Sequence, residues 1–169
     1  ALKSGKNFSI RYPKASSRSY DENGEIELLE IGKWEILQNG ENTAIFAVGS
    51  MVGMVLDTKE KIDSETGFTP TIINARFIKP LDSKIIFEIC ETHKNIITIE
   101  EGVLSGGFGS AVSTFLHDNN LDNNLHRVGI PDSFVEHGTR DELLNSLGLC
   151  PDNIISILKN ESVEEIYEY

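Results

Sequence analysis

Asn95-Ile-Ile-Thr-Ile-Glu100, followed by Glu101-Gly-Val-Leu-Ser105-Gly-Gly-Phe-Gly-Ser110 and then Ala111-Val-Ser-Thr-Phe-Leu116, is the stretch that decides the fold class. Its first part is a short run rich in Ile and Thr, which reads as a strand. Its last part places Ala111, Val112, Phe115 and Leu116 at i, i+1, i+4 and i+5, one face of a helix. The glycines between them let the chain turn from sheet to helix in a small space.

The same alternation extends outward in both directions. Thr71–Asn74 and Leu125–Ile130 are further short β-type runs. Ile85, Ile86, Ile89 and Cys90 repeat the helical spacing, and Met51, Val55, Lys59 and Ile62 suggest another helix. Strands alternating with helices require a largely parallel sheet with helices on both faces, because crossovers are right-handed. Upstream, Ile31–Leu37 and Thr43–Val48 flank an Asn39-Gly40 turn signal, which predicts a hairpin and one antiparallel strand. The expected fold is therefore α/β: a three-layer αβα sandwich around a mostly parallel sheet of about five strands.

Downstream, Thr139-Arg-Asp-Glu142 is a capping box that opens a helix, and Gly148 can close it. Pro151 suits the first turn of a last helix that carries Ile154, Ile155 and Leu158 inward. Residues 16–25, rich in turn formers and without apolar periodicity, read as a linker. We expect residues 1–15 to be the tail of an upstream domain, 26–160 to be the complete domain, and 161–169 to be an acidic tail. Ala1 opens the chain in what reads as the middle of a helix, so a fragment of a longer protein is expected.

Composition narrows the function classes. Twenty-seven acidic against 15 basic residues give a net charge of −12. That average field disfavours nucleic-acid and anionic-membrane partners. No apolar run approaches the ~20 residues of a membrane span. Cys90 and Cys150 are far apart, with no Cys-x-x-Cys and no His at metal-ligand spacing. They read as two free thiols in a reducing compartment, with the cytoplasm as the default location.

Ligands of such sheets sit beyond the carboxyl ends of the strands. That points to Gly49-Ser50, Ala75-Arg76, Glu101-Gly102 and Pro131-Asp132. The Gly106–Ser110 loop leads into a helix N-terminus and has glycines that admit a phosphate, but no lysine follows. A tight packing turn is the competing reading. Glu100 and Glu101 are an adjacent acid pair whose neighbours along a strand face opposite ways. His93 and His117 fall near helix ends, His126 in a strand, and His137 beside Glu136, with no Ser or Cys nucleophile to serve. Arg11 and Lys14 flank Tyr12-Pro13 and can present two cations to one anion. These residues alone specify an α/β domain with an anion-capable edge, and no reaction.

Several segments in order resemble the deoxyxylulose-phosphate synthase family of the transketolase superfamily. Ile10-Arg-Tyr-Pro-Lys14 is similar to the family's I/V-R-Y-P-R-G, and Ile31-Gly-Lys33 to its I-G-K. Ile73-Asn-Ala-Arg-Phe-Ile-Lys-Pro-Leu-Asp82 resembles N-A-R-F-V/I-K-P-L-D. Thr98-Ile-Glu-Glu101 with Gly106-Gly-Phe-Gly-Ser-Ala-Val112 resembles T-x-E-E and G-G-F-G-S-A-V. Gly129-Ile-Pro-Asp132 and Glu136-His-Gly138 resemble G-I/L-P-D and E/P-H/Q-G. The resemblance runs from about residue 8 to residue 158.

It implies the last strand of a pyrimidine-binding domain and a whole C-terminal domain of a homodimeric transferase. Such an enzyme condenses pyruvate with glyceraldehyde 3-phosphate, releases CO2, and feeds isoprenoid, thiamine and pyridoxal synthesis. Its thiamine diphosphate and Mg²⁺ are held by upstream domains, so none is expected here, and the piece alone is expected to be inactive. The partners implied are those upstream domains and a second copy. By the resemblance, Lys14 stands where an arginine helps hold the substrate phosphate, keeping the charge without the bidentate fork. Arg11 is the weaker candidate, and Ala15 replaces a glycine. Two alternatives stay open: the corresponding domain of an α-ketoacid dehydrogenase β subunit, and a small-anion binding or regulatory module using Gly106–Ser110 and Arg76.

Overall fold

The structure is a computed structural model that describes residues 7–9 and 28–164. Arg11, Lys14 and the expected linker at 16–25 lie outside the described residues. Five strands and five helices follow in order: β1 (Glu35–Gln38), β2 (Asn42–Ala47), α1 (Ser50–Thr66), β3 (Thr71–Asn74), α2 (Ser83–Thr92), β4 (His93–Val103), α3 (Phe108–Asp118), β5 (Asn124–Ile130), α4 (Arg140–Ser146) and α5 (Pro151–Glu164). The sheet order is β1-β3-β2-β4-β5. Strands β2 to β5 are mutually parallel, and β1 runs antiparallel to β3.

The expected mixed sheet is present, but the hairpin is not. β1 pairs with β3, and β2 lies on the other side of β3. Asn39-Gly40 therefore makes a passage across the start of β3 and no two-residue turn. Glu41 N–H donates to the Thr69 carbonyl at 3.0 Å, and Gly40 N–H donates to the Thr71 hydroxyl at 2.9 Å. A Cβ on Gly40 would lie 2.0 Å from the Thr69 carbonyl oxygen. Glycine is required there for close backbone approach, a need that looks like a turn signal in the sequence. The expected strand at Ile31–Leu37 also shortens. Gly32 turns at φ 82°, and Trp34 N–H is taken by Asp82 at 3.0 Å, so pairing begins only at Glu35.

Alternation along the strands builds two cores. Ile45, Ala47, Ile72, Ile97 and Ile99 face α1 and α5, where Met51, Val55, Ile62, Ile154, Ile155 and Leu158 meet them. Ala44, Phe46, Ile73 and Ile96 face α2 and α3, against Ile86, Ile89, Phe108, Val112 and Leu116. Burying each such Ile or Leu contributes roughly 1.5–3 kcal/mol. On α1 the core position is Thr58 and not Lys59, since 51, 55, 58 and 62 keep one stripe. Thr58 satisfies its hydroxyl by donating to the Met54 carbonyl at 2.7 Å.

Trp34 packs edge-on against Phe46 at 5.2 Å and Phe108 at 5.7 Å, which fixes where α3 begins. The Thr139–Glu142 capping box opens α4 as expected. Gly148, at φ 72°, follows its end, and α5 starts at Pro151. That helix runs to Glu164, four residues past the expected domain boundary.

Candidate functional site

The four segments picked out by strand ends do share one edge of the sheet, because β2 to β5 are parallel. What the structure shows at this edge is a set of polar groups already joined to one another.

Glu100 keeps the parity of Ile96 and Thr98 and so points toward α3. Its carboxylate is buried and accepts from Phe108 N–H at 2.9 Å and Gly109 N–H at 2.8 Å. A side-chain anion thus occupies the α3 N-terminus, where a bound phosphate would otherwise sit. The glycines serve this plug. A Cβ on Gly102 would approach Glu100 Oε2 to 2.4 Å, and one on Gly107 would approach the Val103 carbonyl to 2.1 Å. Ser110 closes the loop on itself, accepting from Gly106 N–H and donating to the Leu104 carbonyl. The Gly106–Ser110 loop therefore does not fit an external phosphate or diphosphate, and no step of chemistry is derived through one.

Glu101 faces the other side, as neighbours on a strand must. It accepts from the Ser50 hydroxyl at the start of α1 and from Arg140 at the start of α4, the latter at 2.5 Å. Arg76, the cation of the anion-module reading, is engaged by Glu35 across the β1–β3 pair, where Asn74 also donates. Glu35 and Arg140 carried no sequence signal. Their roles depend on β1 reaching β3 and on α4 returning to β4.

The two motifs Ile31-Gly-Lys33 and Asn74–Asp82 turn out to form one clasp. Buried Asp82 accepts from Trp34 N–H at 3.0 Å and, as the N-cap of α2, from Ile85 N–H at 3.3 Å. Lys33 stands 3.9 Å from the same carboxylate, and Trp34 Nε1–H donates to the Phe77 carbonyl at 2.8 Å. The Lys79–Pro80 peptide is cis, and the Pro80 ring lies against Gly32.

The histidines do not assemble a site. His93 lies at the opposite edge of the sheet, buried between Thr71 and Thr92, each 2.8 Å from one ring nitrogen. Burial holds its pKa below the ordinary range, and it closes the C-terminal end of α2 as a buried group, near a helix end as expected. It borders a groove of about 380 Å³ with Asn39, Gly40, Glu88 and Ile89. A second cavity of about 500 Å³ lies between α1 and α4, lined by Met54, Asp57, Arg140, Leu144 and Cys150. His117 ends α3, His126 is on β5, and His137 is exposed in the loop before α4. Among the described residues, no group of three or more His, Cys, Asp or Glu is placed to hold a metal ion. Cys90 and Cys150 are free, and burial pushes the Cys90 thiol up to about 11.

Comparison with known proteins agrees with this frame. Over 153 residues the chain is 41% identical to the 1-deoxy-D-xylulose-5-phosphate synthase of Geobacillus sp. strain WCH70, covering 90% of this chain and 24% of that protein. It is also 41% identical over 151 residues to the synthase of Dehalococcoides mccartyi strain CBDB1, covering 88% and 23%. The chain thus spans about a quarter of the length of these relatives. Among solved structures, a split-gene transketolase described as an inactive β4 tetramer superposes with a TM-score of 0.73 at 25% identity, covering 80% of this chain and 44% of that one. Residues 32–154 match the family described as transketolase, C-terminal domain, and the chain belongs to that family.

Proposed function

We propose that this chain is the C-terminal part of a 1-deoxy-D-xylulose-5-phosphate synthase, and that its domain supports the enzyme without supplying a reacting group. The observation that carries the reading is the state of the sheet's carboxyl edge. Its buried or central polar groups, Glu100, Glu101 and Arg76, are each held by partners within the chain. A domain whose strand-end groups brace its own helices is built to be held in place. The similarity to named synthases over 90% of the chain supports the identity of the larger enzyme.

In that enzyme pyruvate loses CO2, and its remaining two-carbon unit joins the aldehyde carbon of glyceraldehyde 3-phosphate. Thiamine diphosphate with Mg²⁺ supplies the carbanion stabilisation, and the polypeptide supplies orientation and electrostatics. Residues 26–160 form the supporting domain in this reading, joined through 16–25 to the tail at 1–15. Lys14, with Arg11 beside it, is the residue of this chain assigned to the substrate phosphate. The assembly is a homodimer in the cytoplasm.

The test is an assay with pyruvate, glyceraldehyde 3-phosphate, thiamine diphosphate and Mg²⁺. Full-length protein is expected to form product, and residues 1–169 alone none. Product from residues 1–169 alone would refute the supporting role. In full-length protein, Lys14→Met should raise the KM for glyceraldehyde 3-phosphate and leave that for pyruvate unchanged. Equal effects on both would remove Lys14 from the phosphate site.

A further inference from the structure

Residues 131–148 are held differently from the rest of the described fold. Every residue from 131 to 142 is exposed, and α4 buries no side chain of its own. By contrast, α1 buries Met51, Val55 and Ile62, and α5 buries Ile154, Ile155 and Leu158. On α4 and just after it, Leu144 and Leu147 only border the core, partly buried. Between α4 and α1 lies the cavity of about 500 Å³, so Met54 and Leu144 line a void where two packed helices would touch.

A helix of seven residues does not persist without packing or caps. Its capping box, Thr139 with Glu142, is local and ties it to nothing else. The tie to the sheet is Arg140, which donates to Glu101 at 2.5 Å, while the same carboxylate accepts from the Ser50 hydroxyl at the start of α1. The two ends of the segment are fixed. Leu104 N–H donates to the Ile130 carbonyl at 2.8 Å, just before Pro131. The Asn153 side chain donates to the Gly148 carbonyl at 2.9 Å, where the glycine takes φ 72°. Between these ends lie an exposed loop, a helix without a buried face, and a partly exposed ion pair. That is the contact pattern of a locally unstable unit.

We propose that residues 131–148 form a strap that opens as a unit while the sheet stays folded. It is latched by the Glu101–Arg140 pair and hinged at Pro131 and Gly148. Opening melts α4 and turns the cavity into a cleft against α1, with Met54 and Asp57 on its wall. The latch responds to salt, because Arg140 is 57% and Glu101 33% exposed.

Hydrogen exchange of the full-length protein, read by mass spectrometry at low and high salt, tests this. Amides of α4 should exchange at least about 100-fold faster than those of α1 and β4. Glu101→Gln should speed α4 exchange a further ~2- to 5-fold and leave α1 and β4 unchanged. Arg140→Gln should do the same, and the double variant should do no more than either alone, because both remove one contact. Added salt should speed α4 exchange in the unmodified protein and have no such effect in the double variant. Exchange of α4 in step with α1 and β4 would overturn the strap. Protection of α4 untouched by both substitutions, or lowered additively by them, would overturn the latch.

Discussion

Exchanging Glu100 for glutamine keeps the shape of the side chain and removes its charge. In the structure both carboxylate oxygens are used, one on Phe108 N–H and one on Gly109 N–H. The amide nitrogen of glutamine must face one of those donors, so one charge-assisted hydrogen bond is lost, at about 1.5–3 kcal/mol. Loss of the negative charge at the first turn of α3 adds up to about 2 kcal/mol in so buried a setting. An amide costs less to bury than a carboxylate, which offsets part of this. The expected net destabilisation is about 2–4 kcal/mol for Glu100→Gln. For Glu100→Ala it is about 3–5 kcal/mol, because two buried N–H groups are left unpaired and a cavity opens. The neighbouring Glu101→Gln is the internal control: it weakens a partly exposed contact, at no more than about 1 kcal/mol. Urea unfolding of residues 1–169, followed by circular dichroism, reads all three. If Glu100→Gln shifts stability no more than Glu101→Gln does, the carboxylate is not the plug of the α3 N-terminus. The Gly106–Ser110 loop would then be open again to an external anion.

Further expectations follow from single contacts. Gly40→Ala should destabilise by about 3 kcal/mol or more, since its Cβ meets backbone and nothing there can rotate away; a change within experimental error in the same unfolding assay would contradict the β1–β3 crossing. His93 is held neutral by burial, so the unfolded chain binds its proton more readily. Its contribution to stability is complete above about pH 6.5 and is lost as pH falls toward the lower folded value. His93→Gln should flatten this part of the stability–pH curve, and an unchanged slope would count against the assignment. Cys90, with its thiol at about 11 against an ordinary 9.0, should react with iodoacetamide roughly 100-fold more slowly at pH 7.5 in the folded chain than after unfolding. Peptide mapping of the labelled protein would show whether it does.

The fold was legible where a pattern repeats locally. The strand at Thr71–Asn74, the helical stripes through Ile86 and Ile89 or Val112 and Leu116, and the Thr139 capping box all depend on spacings of a few residues. The β1 pairing was not legible, because Asn39-Gly40 has the chemistry of a tight turn, while the real demand on Gly40 comes from Thr69 and Pro70, 29 and 30 residues later. The opposite facing of Glu100 and Glu101 could be read from strand parity. That Glu100 would meet the helix following its own strand could not, since this depends on the backbone path through Gly102, Gly106 and Gly107. The partners of Arg76 and Glu101 were hidden for the same reason: Glu35 and Arg140 are 41 and 39 residues away in sequence. Asp82 and Gly32 became intelligible only when the clasp around Trp34 brought them together.

The central claim, that this domain belongs to a deoxyxylulose-phosphate synthase, is tested most directly by product analysis of the full-length protein. With pyruvate and glyceraldehyde 3-phosphate, thiamine diphosphate and Mg²⁺, the account predicts 1-deoxy-D-xylulose 5-phosphate and CO2 in equal amounts. Pyruvate turnover that yields CO2 only when an acyl-carrier partner is added, with no five-carbon phosphate formed, would contradict it and place the chain with the α-ketoacid dehydrogenase β subunits.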